Sequence, residues 1–331
     1  MINANDTEFH PRDPRDRIWT ETTYLAFAIP EEALHGTLYV LARPNLGVAM
    51  SSVVITRGYT RRPHEAEFCD PQIHLPCPAS YADFSLDNGL SVKAESLTDW
   101  RFSYRHKLDS CRFDLRLKGL HHPHDPMDSR ENPLLQRAEP GGAHDPRVGD
   151  AWSNGHFDLK GRITGTLWLR GREYAVDCYE GMDRSWGPRN ETPSRASSYL
   201  SINFGEELAV WLTMTLSISS EGMVVYDELK TGFLVSHGEV FPITRATIEA
   251  RGADMLTLND HVILETANGA RYEFHGGAIG TRPMGSINPS ISAFQSLMRY
   301  HWNGKVGYGG HGKLFGQEYL ARHLPRDEAR A

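Results

Sequence analysis

The densest grouping of chemistry-capable side chains in this chain is Asp183-Arg184-Ser185-Trp186-Gly187, which puts a carboxyl, a guanidinium, a hydroxyl and an indole within five positions. A desolvated carboxyl can transfer protons, whereas one held beside an arginine stays ionised and becomes a structural partner. Backbone parity bears on which applies. In an extended strand Tyr179, Gly181 and Asp183 share one face, and Glu180, Met182 and Arg184 take the other. An arginine on the far face leaves Asp183 free to act as an acid. Pairing with Arg184 or Arg189 instead makes the segment an ion-pair clamp between two β-domains.

Aromatic residues flank this string: Trp168, Tyr179, Trp186 and Tyr199. Their ring faces stabilise a developing cation by roughly 0.5 to 2 kcal/mol each once water is excluded. Tryptophans also plug barrels, and Trp168 is read as core. His156 is a candidate base, a candidate orienter of the acid, or a hydrogen-bonded structural histidine. Tyr300, His301, Trp302 and Tyr308 form a second aromatic and histidine cluster where the last strands of a barrel could line a cavity. The run His121-His122-Pro123-His124-Asp125 has metal-ligand residue types, but its prolines and close spacing suit an exposed loop, and no metal is assigned.

Positioning these residues falls to β-strands. Period-two alternation marks Gly36 to Arg43, Ala49 to Thr56 and Arg112 to Leu117 and resumes in segments from Arg162 to Ile279, and along the whole chain turns such as Asp87-Asn88-Gly89, Glu221-Gly222 and Asn268-Gly269 separate the strands. Regular hairpin spacing of this kind predicts antiparallel barrels or sandwiches. Ile291, Phe294, Leu297 and Met298 recur at helical spacing, so one short helix is expected over Pro289 to Arg299. Between Leu120 and Asn154 the alternation gives way to a proline-rich connection. The expected organisation is a polar arm over residues 1–17, a first β-domain over 18–150 and a second over 151–331.

Composition sets outer limits. The chain has 331 residues, 40% of them hydrophobic and 23% charged, and contains no apolar run of membrane-spanning length. The N-terminus lacks the apolar core of a secretory signal, and four cysteines without a close pair read as reduced thiols, so a cytoplasmic location is expected. A net charge of -7 argues against a nucleic-acid partner. No dinucleotide fingerprint, P-loop or Gly-x-Ser-x-Gly elbow is present, and no cofactor is expected.

The stretch from His156 to Arg189 resembles the two-domain, lipocalin-like superfamily of carotenoid 1,2-hydratases and AttH-type proteins. Those relatives show a histidine opening a strand, a Gly-Arg-x-x-Gly turn and an Asp-His-Ser-Trp-Gly-x-Arg ending. His156, Gly161, Arg162, Gly165, Asp183, Ser185, Trp186, Gly187 and Arg189 match, while Arg184 stands where histidine is usual and Gly181 replaces a preceding histidine. The resemblance implies two lipocalin-like β-domains and a cofactor-independent hydratase or dehydratase acting on an isoprenoid or other apolar unsaturated substrate. It makes Asp183 the acid, with His156, Trp186 and Tyr179 beside it. Trp168, Tyr199, Arg184, Arg189, Tyr300, His301 and Trp302 are then candidates for substrate contact. A non-catalytic lipid carrier and a cyclase would need the same cavity.

Overall fold

Strands that alternate apolar and polar residues must be joined edge to edge before their apolar faces can be buried together. The computed structural model describes residues 1–137, 152, 154–189, 196–284 and 290–324, and these form two antiparallel sheets. The first holds β1 (Trp19–Ile29), β2 (Leu34–Arg43), β3 (Val48–Arg57), β4 (Phe68–Pro76), β5 (Asp83–Ser85), β6 (Leu90–Ala94), β7 (Asp99–Arg105), β8 (Cys111–Gly119), β9 (Gly155–Leu169) and β10 (Arg172–Pro188). Its order is β4-β3-β2-β1-β10-β9-β8-β7-β6-β5, curled into a half-barrel. The second is a closed barrel of β11 (Ala196–Asn203), β12 (Ala209–Ile218), β13 (Val224–Ser236), β14 (Glu239–Ala253), β15 (Leu256–Thr266), β16 (Arg271–Met284), β17 (Ile291–Trp302) and β18 (Lys305–Gly316). The all-β, lipocalin-like expectation holds.

One detail differs from the sequence reading. The expected helix is strand β17, which pairs with both β16 and β18. Ala293, Gln295, Ser296, Leu297 and Met298 are all buried there, so a strand covered on both faces loses the period-two signature, and its apolar residues mimic helical spacing. The one α-helix among the described residues is α1 (Gln317–His323). The chain passes from sheet to barrel between Pro188 and Ala196, so β9 and β10 belong with the first sheet; Asp150, where a boundary was expected, lies outside the described residues.

Strand β1 is buried along its whole length, because its two faces serve two different layers. Leu25 and Phe27 enter the half-barrel's core with Leu38, Trp100, Phe102, Phe157 and Leu167. The other face looks toward the barrel, where Tyr24 meets Tyr199 of β11 edge to face. The sheets are joined again where Thr60 and Thr281 exchange backbone and side-chain hydrogen bonds. The proline-rich connection contributes a third link. His124 pairs with Asp158 of β9, and the rings of His121 and His124 lie against Phe233 of β13.

Arg184 closes the half-barrel. Register places it opposite Thr23 on the core face, and its guanidinium is fully buried against Glu21 at 2.9 Å, beneath the Tyr81 ring. It also donates to the carbonyl of Thr7, which fastens the N-terminal arm over the sheet. His10 of that arm donates its backbone N–H to Glu21 and stacks on Trp186 at 3.9 Å. Arg184 and Trp186, expected at a ligand site, are therefore core residues. Gly155, opposite Trp186, is required because a Cβ there would sit 2.2 Å from the indole. Removing one partner of a buried pair strands the other charge, so Arg184→Met should cost about 3 to 5 kcal/mol in urea unfolding. Removing the exposed Arg61–Asp254 pair should cost less than about 1 kcal/mol.

Candidate active site

The barrel-facing side of β1, β10 and β9 carries two cross-strand rows. Tyr24, Asp183 and Asp158 form one, and Thr22, Ser185 and His156 the other. Residues paired this way have Cβ atoms about 4.5 to 5.5 Å apart, so five polar groups and a phenol crowd one patch of sheet. The barrel covers it with Tyr199, Gln295 and Arg282. Arg282 donates to the Gln295 oxygen at 2.6 Å and to Thr37 Oγ1 at 2.7 Å, and Gln295 Nε2 donates to the Tyr24 hydroxyl at 3.1 Å. The Tyr24 and Tyr199 hydroxyls are 3.5 Å apart. Tyr199 stacks on Trp211 and lies flat over Gly312, where any Cβ would collide with the ring at 2.1 Å.

Nearly every polar group in this patch has a partner. Ser185 shares a hydrogen bond with Thr22 and accepts one from Arg189, which also donates to Tyr39. His156 Nε2 lies 3.0 Å from Asp158 Oδ1, under the stacked indole of Trp152. Lys160 donates to Ser201 of β11, Ser201 donates to Glu180, and Lys160 and Glu180 form a buried ion pair at 3.5 Å. Parity put Glu180 on the core face, but β10 pairs with β1 only from Met182 onward, and the Glu180 carboxylate, just before that stretch, reaches the barrel.

Asp183 is the exception. It lies deep between the two layers yet keeps some accessible surface, and among the described residues its carboxyl makes no hydrogen bond and no ion pair. Arg184 points to the opposite face and Arg189 is engaged by Ser185 and Tyr39, so neither clamps it. Burial pushes its pKa up to about 7; nearby His156 opposes the rise, Asp158 adds to it and Arg189 opposes it. Burial also pushes Tyr24 up to about 12 and holds Tyr199 well above its ordinary value, so both phenols keep their protons. The space between the layers therefore brings together a carboxylic acid, two phenols and, on His156 Nδ1 and Asp158 Oδ2, two buried polar atoms without a partner among the described residues.

Of the residues expected at the site, the structure gathers Asp183, His156, Tyr199 and Arg189. The others lie elsewhere. Tyr179 shares the Asp183 face but sits at the rim, with its hydroxyl 3.5 Å from Glu206. Trp168 stacks under Arg112 on the far end of β9. Trp302 packs on Phe204 and Phe274 at one end of the barrel, His301 is exposed, and Tyr300 is inside the barrel. In the histidine run both ring nitrogens of His121 are bonded, one to the His122 carbonyl and one to the backbone N–H of Lys160. Tyr24, Gln295, Arg282 and Asp158 escaped the sequence reading. They come from four separate strands with no local motif, and only register against Asp183 or the barrel identifies them.

Residues 3–313 match a family model described as a domain of unknown function, DUF7064. The chain belongs to the DUF7064 family. No curated protein matches it. Among solved structures, this DUF7064 chain is similar to kievitone hydratase from Nectria haematococca, with a TM-score of 0.52 and 11% identity over 90% of this chain and 88% of that one. It is likewise similar to an AttH-like protein from Nitrosomonas europaea, with a TM-score of 0.57 and 12% identity over 93% and 94% of the two chains. At these identities both show the fold alone, and it is the lipocalin-like β architecture read from the sequence.

The DUF7064 barrel also encloses a polar group of its own. Asp260 accepts from Tyr300 and lies 2.6 Å from His311 Nδ1, and His311 Nε2 lies 2.6 Å from the Tyr226 hydroxyl. This chain accounts for Tyr300, whose hydroxyl is committed to Asp260 rather than to the Asp183 site.

The raised pKa of Asp183 has a thermodynamic signature. The unfolded chain releases this proton near pH 3.8 and the folded chain near pH 7, so between those values the native state holds more protons and stability falls as pH rises. Relative to Asp183→Asn, the wild type should lose on the order of 4 kcal/mol across that window in urea unfolding. Parallel stability curves for the two proteins would contradict the assignment.

Proposed function

We propose that this chain is a cofactor-independent hydratase or dehydratase acting on an unsaturated, largely apolar small molecule, with an isoprenoid-type alkene as the favoured substrate class. The observation that carries the reading is the Asp183 carboxyl, unpaired among the described residues, with its pKa pushed up to about 7 and lying opposite Tyr24 and near Tyr199 between the layers. In the hydration direction Asp183 gives its proton to one alkene carbon as the π bond breaks. The other carbon carries the positive charge against the phenol faces, which act as quadrupoles and as oxygen dipoles. Water adds to that carbon, and its surplus proton returns to the Asp183 carboxylate, so the acid is regenerated with no net change. Dehydration is the reverse.

Arg282, through Gln295, holds Tyr24 in place, and the buried His156–Asp158 pair lies in the neighbouring cross-strand positions, where it can steer water. The solved hydratase of the same fold supports the reaction class by analogy only. Four cysteines without disulfides suit a reducing compartment, and we place the protein in the cytoplasm on that ground.

Solvent extraction of the purified chain followed by mass spectrometry identifies the ligand class, and incubation of that compound in ¹⁸O-labelled water tests the chemistry. The labelled alcohol should appear, and Asp183→Asn should lower turnover roughly 100- to 10,000-fold while the protein remains folded. Tyr179→Phe, at the rim, should leave turnover within about twofold, in line with a residue outside the acid's surroundings. An extracted ligand that gains no label after long incubation would point to a carrier instead.

A further inference from the structure

The outer wall of the barrel carries a cluster that the Asp183 chemistry does not use. β15 and β16 pair His261 directly with His275, and the two imidazoles are stacked at 4.5 Å with planes 8° apart. Glu273 lies two residues before His275 on the same strand and so on the same face. Its carboxylate oxygen is 2.8 Å from His261 Nε2 and 3.7 Å from His275 Nε2. One ligand atom from each of the three residues lies within 4.8 Å of the others.

We propose that His261, Glu273 and His275 form a binding site for a divalent transition metal, with zinc as the reference ion. Two imidazoles and one carboxylate, with water in the remaining position, are a donor set that zinc accepts. Bonds of about 2.0 to 2.1 Å in a tetrahedron put neighbouring ligand atoms about 3.4 Å apart. The 2.8 and 3.7 Å separations bracket that value, so small side-chain rotations suffice.

The strand register extends the row. Glu249 of β14 pairs with His261 on one side, and His301 of β17 pairs with His275 on the other, both exposed. Either can approach the ion's remaining position. His261 and Glu249 also wall an open groove of about 570 Å³ where β13 and β14 separate above their short pairing, so the site is reachable from solvent. The competing cation is Arg271, whose guanidinium is 4.0 Å from the second Glu273 oxygen and more than half exposed, which leaves it free to swing away. Without a metal, the stacked imidazoles are joined only through Glu273; a shared ion gives all three groups one partner.

The test is a zinc titration of the full-length, chelator-treated chain at pH 7.5 by calorimetry, with a chromophoric chelator as competitor. One equivalent should bind, and His275→Ala and Glu273→Gln should each weaken that event at least tenfold. Binding should also weaken in acid, because protons compete with the metal for the same ligand atoms. Because these side chains face solvent, the metal-free variants should unfold at the wild-type temperature, and zinc should raise the midpoint of the wild type only. No binding to the wild type, or binding that survives both substitutions and therefore resides in other histidines, would overturn the proposal.

Discussion

The structure depends on burying β1 and the second half of β10, from Glu180 to Gly187, on both faces. One face fills the half-barrel's core, and the other is pressed against a closed barrel, so the polar side chains on that second face must find partners without water. They do so in compact sets that span the two layers. Arg282, Gln295 and Tyr24 form one, and Lys160, Glu180 and Ser201 another. The penalty for an unmet buried group makes each set specific, because a slip of one residue in β10 would move Asp183 into the core and Arg184 to the space between the layers. Fold and site geometry are fixed by the same register.

That register also explains how an aspartate beside an arginine in sequence escapes it in space. Arg184 spends its charge on Glu21 and on the arm that covers the half-barrel, while Asp183 faces the opposite way with no cation bonded to it. Arg184 is therefore a core element, which leaves the acid's surroundings to Tyr24, Tyr199 and the His156–Asp158 pair.

Much of this was legible in the sequence. Alternation located most of the strands, and two-residue parity separated Asp183 from Arg184 before any contact was known. What failed did so for one physical reason. Periodicity reports one buried face, and the strands that matter most have two. β1 drew no signal, β17 resembled a helix, and Glu180 crossed to the barrel just before the stretch of β10 that pairs with β1. Nearness along the chain is a poor guide to the aromatic residues around Asp183: Trp186 is core under His10, and Trp168, read as core, is half-buried beneath Arg112. Tyr24 and Gln295, more than a hundred residues away from Asp183, are its real neighbourhood, and only tertiary pairing brings them there.

A carboxyl that keeps a large share of its protons near neutral pH, beside the phenols of Tyr24 and Tyr199 and without an ionic partner among the described residues, is the central claim, since the proposed addition to an alkene needs a proton donor there. Direct titration of that group is the most telling measurement: carboxyl carbon-13 resonances of aspartate-labelled protein followed from pH 3 to 9, with Asp183→Asn used to assign the signal. The structure predicts a midpoint about three units above an ordinary aspartate, near 7. A midpoint near 4 would mean that Asp183 is ionised at neutral pH, and it would contradict the account.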